Sequence, residues 1–134
     1  MTIPAVALPR LTPSLIILAA IFVIGGAMHF VKPGWYLSMM PPWLPAPLAL
    51  VYISGVAEFA GGVGILIPAT RVAAGWGLIL LLIAIFPANV QMLLDAQARH
   101  ASALWLAALV ARLPLQAVLI AWVYRAAVRF GGAS

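Results

Sequence analysis

The sequence predicts an all-α membrane protein, a four-transmembrane-helix bundle. Three observations carry that prediction. Of the 134 residues, 66% are hydrophobic and 7% are charged, whereas an average soluble domain has about 45–50% and about 25%. Mean hydropathy is +1.19. Residues 13–31, 48–67, 72–93 and 103–124 form apolar runs near the length of about 20 residues that a helix needs to cross a bilayer core. A soluble chain this small could not withdraw so much apolar surface from water, which excludes a soluble globular enzyme. So little charge also excludes a disordered chain.

Helices are the expected spanning elements, because open strands would leave backbone groups unpaired in lipid. A barrel would alternate polar and apolar residues, and the run from Leu78 to Phe86 does not. The first span opens at Thr12-Pro13, a capping hydroxyl followed by proline at the first helical position. Its start superficially resembles a signal peptide, with Arg10, an apolar run and Gly25-Gly26-Ala27. The run is long for a signal core, so the segment is read as a retained helix.

Residues 32–47 are apolar yet hold five prolines, which deny them a continuous helix. Trp35, Tyr36 and Trp43 prefer the headgroup level. The expectation is a Pro/Trp-rich interfacial loop that caps the outer end of the bundle, as an aromatic anchor or as a lid over a cavity. Pro68-Ala69-Thr70-Arg71 is a very short link, so the second and third spans form an antiparallel hairpin. Thr70 is the expected N-cap of the third span and Ser102 that of the fourth. Pro87 and Pro114 free the carbonyls of Ile83 and Val110, and kinks are expected there. Those kinks either open a small cavity or bend the helices to fit. Glycines at 55, 61, 62, 64, 75 and 77 permit close helix approach. With no repeat and no linker, residues 1–134 read as one domain.

The formal net charge is +5. The basic residues Arg10, Lys32, Arg71, Arg99, Arg112, Arg125 and Arg129 are scattered singly. No cluster tracks a phosphate backbone, so nucleic acid is excluded as a partner. Arg10, Arg71, Arg125 and Arg129 fall on one side of the membrane, while Lys32 and Arg99 fall on the other, partly offset by Asp95. The positive-inside rule then places both termini in the cytoplasm. The absence of cysteine excludes disulfides and thiol chemistry. His29 and His100 alone make no metal or haem ligand set.

Two charges lie deep within spans, where they normally face a bundle interior or a cavity. At the helical rise, Glu58 lies roughly 15 Å and Arg112 roughly 14 Å below the outer surface. Equal depth and opposite sign predict a buried ion pair. Gln116 shares a helix face with Arg112. Asn89 lies slightly above, and His29 sits near the outer end of the first span. The outer half is therefore polar and the inner half almost purely apolar. Such a cluster acts either as interhelical glue or as a ligand site for a small polar molecule, a proton or a quinone headgroup.

Several motifs also resemble the DoxX-like family of small bacterial integral membrane proteins. They are His29-Phe30, Pro33, Tyr36 and Pro41-Pro42-Trp43-Leu44-Pro45, then Gly55-Val56-Ala57-Glu58 with Gly61-Gly62-Val63-Gly64. Pro68-Ala69-Thr70-Arg71, Phe86-Pro87-Ala88-Asn89 and Arg112-Leu113-Pro114-Leu115-Gln116 follow in order. The resemblance covers about residues 14–125 and implies a four-helix inner-membrane bundle linked to oxidative-stress and sulfur-redox complexes. The family's recurrent polar residues fall on Glu58, Asn89, Arg112 and Gln116. The chain departs from redox-active relatives in having no cysteine.

The leading expectation is a non-catalytic accessory or anchoring subunit of a redox or oxidative-stress-related complex, because no nucleophile, thiol or metal set is present. The alternatives are a quinone- or lipid-binding redox component and an oligomeric small-solute transporter or channel. Expected partners are membrane lipids and either a redox protein or further copies of the chain.

Overall fold

In the computed structural model, residues 10–129 and 131 are described. The chain ends that the sequence assigns to the cytoplasm lie outside those residues. The described elements are α1 (Pro13–Val31), a short α2 (Pro33–Leu37), α3 (Pro47–Gly64), α4 (Arg71–Ala98) and α5 (Ala103–Val123). A π-helical segment, Tyr124–Arg129, continues α5. There is no strand among the described residues. Four helices are long and apolar enough to span a membrane: α1, α3, α4, and α5 with its extension. The protein is an all-α, multi-pass membrane protein.

The helix starts follow local chemistry. The Thr12 hydroxyl accepts from the Leu15 amide at 3.2 Å, and the Ser102 hydroxyl accepts from the Trp105 amide at 3.3 Å. Each satisfies an amide that has no partner within its helix. Thr70 behaves differently from the expectation. Its side chain does not cap α4; instead the hydroxyl donates to the Gly64 carbonyl at 2.8 Å. The tight link brings it against the end of α3, where carbonyls lack helical partners.

Arg71 also departs from the sequence reading as a loop charge. It is only 1% exposed. Its Nε donates to the Ile65 carbonyl at 2.8 Å and its Nη2 to the Leu66 carbonyl at 3.3 Å. The guanidinium fork satisfies two carbonyls of the α3–α4 turn at once.

Three span ends move, that of the fourth span through the π-helical extension to Arg129. The second span ends at Gly64, because residues 65–70 form the turn. The third runs on to Ala98 despite Pro87 within it, so Asp95 is helical.

The bundle buries little of its apolar surface internally. A small core of Leu15, Leu18, Phe22, Ile65, Leu78 and Val123 sits toward the end of the bundle that holds the α3–α4 turn. Large side chains such as Ile24, Ile53, Leu80 and Leu104 point outward, as expected where lipid is the solvent. The closest seam joins α1 to α3. A methyl group added at Gly26 would lie 2.6 Å from the Phe59 nitrogen and 2.7 Å from the Gly55 oxygen. Only glycine permits that backbone approach, and it sets His29 of α1 beside Glu58 of α3.

Candidate functional site

Adjoining the apolar core, on its side away from the α3–α4 turn, every helix contributes to one cavity of about 190 Å³. Its walls include His29 of α1, Tyr36 of α2, Glu58 of α3, Asn89 of α4 and Arg112 of α5. Phe22, Val51, Leu82 and Ile85 supply apolar surface. Met39, from the segment after α2, also faces it. This cavity lies among the polar residues that the sequence reading places in one half of the bundle.

The predicted ion pair between Glu58 and Arg112 does not form. Among the described residues, the salt-bridge partner of Glu58 is His29, with Nε2 to Oε2 at 3.1 Å. Arg112 faces the same cavity but approaches two thioethers, Met92 at 3.7 Å and Met39 at 3.9 Å. Depth along the helix axes matched, but the close α1–α3 seam gave Glu58 a nearer partner.

The His29 ring is tightly oriented. Its Nδ1 lies 2.9 Å from the Val51 carbonyl. A carbonyl only accepts, so Nδ1 carries a hydrogen and Nε2 turns to Glu58. Tyr36 stacks on the imidazole at 3.7 Å between centroids, with 21° between the planes. Its hydroxyl donates to the Gly25 carbonyl at 3.4 Å. Burial pushes the phenol above its ordinary value of 10, the Glu58 charge adds to that effect, and Arg112 opposes it. Tyr36 therefore remains a neutral lid over the histidine at physiological pH.

The other two members of the predicted lid face away. Trp35 and Trp43 are exposed and do not line the cavity. Lys32 stands over the Trp35 ring at 4.8 Å. Short α2 presents opposite faces, so adjacent Trp35 and Tyr36 diverge: one suits the interface, the other closes the site.

Asn89 and Gln116 bond to each other rather than leaving both amides open to a ligand. The Asn89 amide donates to the Gln116 oxygen at 2.6 Å. The Gln116 amide donates to the Leu82 carbonyl, one residue from the carbonyl that Pro87 frees. Gln116 does not line the cavity. This pair clamps α4 to α5, a structural role that leaves Asn89 at the wall.

Sequence reasoning missed Met39, Met92 and Val51. Thioethers and backbone carbonyls carry no recognisable pattern within an apolar chain. No group of three or more metal-ligating side chains occurs among the described residues.

The His29–Glu58 contact gives a clear expectation. Glu58→Ala leaves the buried Nε2 without a partner and should destabilise the protein by about 1–3 kcal/mol. Glu58→Gln should retain most of the stability, because its amide can donate to Nε2. Thermal unfolding in detergent would show this, and equal losses in the two variants would argue against the assigned hydrogen bond.

The family described as Domain of unknown function (DUF8561) matches residues 18–127. That match runs from within α1 to within the π-helical segment and includes every residue of the cavity. No curated protein and no solved structure matches the chain. The chain belongs to the DUF8561 family.

Proposed function

We propose that the protein is a DoxX-like component of the bacterial inner membrane that binds a small oxygen-bearing headgroup on an apolar tail, of the quinone or lipid class. In this reading it is a non-catalytic partner of a redox or oxidative-stress complex. Both termini face the cytoplasm, and the cavity opens toward the other side. The carrying observation is the cavity itself, where Arg112, His29, Glu58 and Tyr36, with Ser54 and Asn89 beside them, converge on a space whose other walls are apolar. Ligand sites combine apolar walls with a few convergent polar groups in this way. The motifs behind the DoxX resemblance also supply the wall residues: His29, Tyr36, Glu58, Asn89 and Arg112 all fall within them.

Binding of a short-chain quinone analogue and of a single-chain lipid to the purified protein tests the reading. At least one should bind, and Arg112→Ala should weaken it about tenfold, the loss expected for a hydrogen bond to a charged group. Failure of both probes to bind, or equal binding by the variant, would overturn it.

A further inference from the structure

The charges around the cavity can be summed from geometry. Its titratable wall residues are His29, Tyr36, Glu58 and Arg112. The Val51 carbonyl holds the hydrogen on Nδ1 of His29. The 3.1 Å approach of Nε2 to the Glu58 carboxyl oxygen would set two lone pairs against each other unless one proton lay between them, so the pair shares one. On nitrogen that proton makes an imidazolium–carboxylate pair; on oxygen it makes two neutral groups. In either case the pair carries no net charge, and it titrates as a unit. Tyr36 is neutral. One positive charge remains, on Arg112.

Among the described residues, no carboxylate pairs with Arg112. Its polar contacts are the Met39 and Met92 sulfurs, which are uncharged and weak acceptors. An uncompensated charge within a bilayer is costly. A neutral ligand would leave that charge in place, whereas a doubly charged one would reverse it. A singly charged anion brings the enclosure to zero. A guanidinium receives carboxylate and phosphate oxygens through paired N–H groups. Thioether side chains are flexible enough to withdraw as the anion arrives. The small cavity admits a compact headgroup, while a chain attached to it could continue along the apolar exterior.

We propose that the cavity selects a singly charged oxyanion headgroup, received by the guanidinium of Arg112 between Met39 and Met92. This rests on the headgroup-binding reading above and names its ligand class. The source is either a membrane amphiphile, such as a fatty acid or a phosphate-diester lipid, or a free anion of the same charge.

The test uses the full chain in a neutral detergent and radiolabelled oleate, with oleyl alcohol as the uncharged probe of equal chain length. Oleate and phosphatidylglycerol are expected to bind at least about tenfold more tightly than oleyl alcohol, as a charge-assisted hydrogen bond implies. Arg112→Gln should erase that difference and Arg112→Lys should keep part of it. Arg99→Gln, which removes an exposed cation, should keep all of it. Displacement of oleate by acetate or formate at similar concentrations would identify a free anion as the source; resistance to both would identify the amphiphile. If oleyl alcohol or a short-chain quinone analogue binds as well as oleate, the oxyanion proposal falls and the headgroup reading stands. A preference for oleate that survives in Arg112→Gln also overturns the proposal. If no probe binds at all, both readings fall.

Discussion

Gly26→Leu is expected to destabilise the protein by about 3 kcal/mol, the upper part of the usual range for overpacking. The first added carbon would already lie within 3 Å of the Phe59 nitrogen, the Gly55 oxygen and the Phe59 Cβ. Two of those atoms are backbone and cannot swing aside, so α1 and α3 must separate. That separation would also draw His29 away from Glu58, so ligand binding should fall with stability. Gly77→Leu is the matched control, because no atom lies within 4 Å of a carbon added there. Its helix should be unharmed or slightly firmer, since glycine is a poor helix former. Unfolding midpoints measured in detergent separate the two. A Gly26→Leu midpoint equal to that of Gly77→Leu would remove the argument that backbone proximity holds this seam.

Arg71→Ala should be of similar or greater effect, at about 3–5 kcal/mol. It leaves a void where a fully buried side chain stood. It also orphans the carbonyls of Ile65 and Leu66, and buried acceptors without partners are costly. Arg71→Lys should recover less than half of the loss, because one ammonium on a flexible stem cannot reproduce the planar fork. Denaturation by graded anionic detergent, read by circular dichroism, would measure both. Full stability in Arg71→Ala would show that the turn is held by other contacts, such as the Thr70 hydroxyl on Gly64.

Arg71 illustrates why sequence and structure disagreed at some positions. A lone arginine after Pro68-Ala69-Thr70 has the signature of a loop charge that reports topology. Its burial depends on two carbonyls left open by the turn, and no residue letter announces an open carbonyl. The same holds for Thr70, whose hydroxyl found the end of one helix rather than the start of the next. Thr12 and Ser102 capped as expected, because their amide partners lie only three residues along the chain.

The candidate site was legible in its membership more than in its pairing. Depth along a helix follows from rise per residue, so His29, Glu58, Asn89 and Arg112 could be placed in one half of the bundle. Rotation about each helix axis and the closeness of each seam are set by packing. Glu58 therefore met His29 across the glycine seam, and Arg112 was left to two methionines. Gln116 shared the face of Arg112, yet its amide turned to Asn89 and to a backbone carbonyl. Within the loop, five prolines limited helix to the single short turn of α2. Nothing in the aromatic content alone told Tyr36, which turned inward, from Trp35 and Trp43, which did not.

The amino-acid sequence by itself determined that four helices cross a membrane, and it determined which half of them is polar. Those properties follow from apolar run length and from the cost of unpaired backbone groups in lipid, both of which act locally along the chain. Only the tertiary structure decided which polar groups touch, which carbonyls the buried arginine serves, and that Arg112 meets two methionines at the cavity wall. Those outcomes depend on distances of a few ångströms between helices far apart in sequence, and close packing sets such distances.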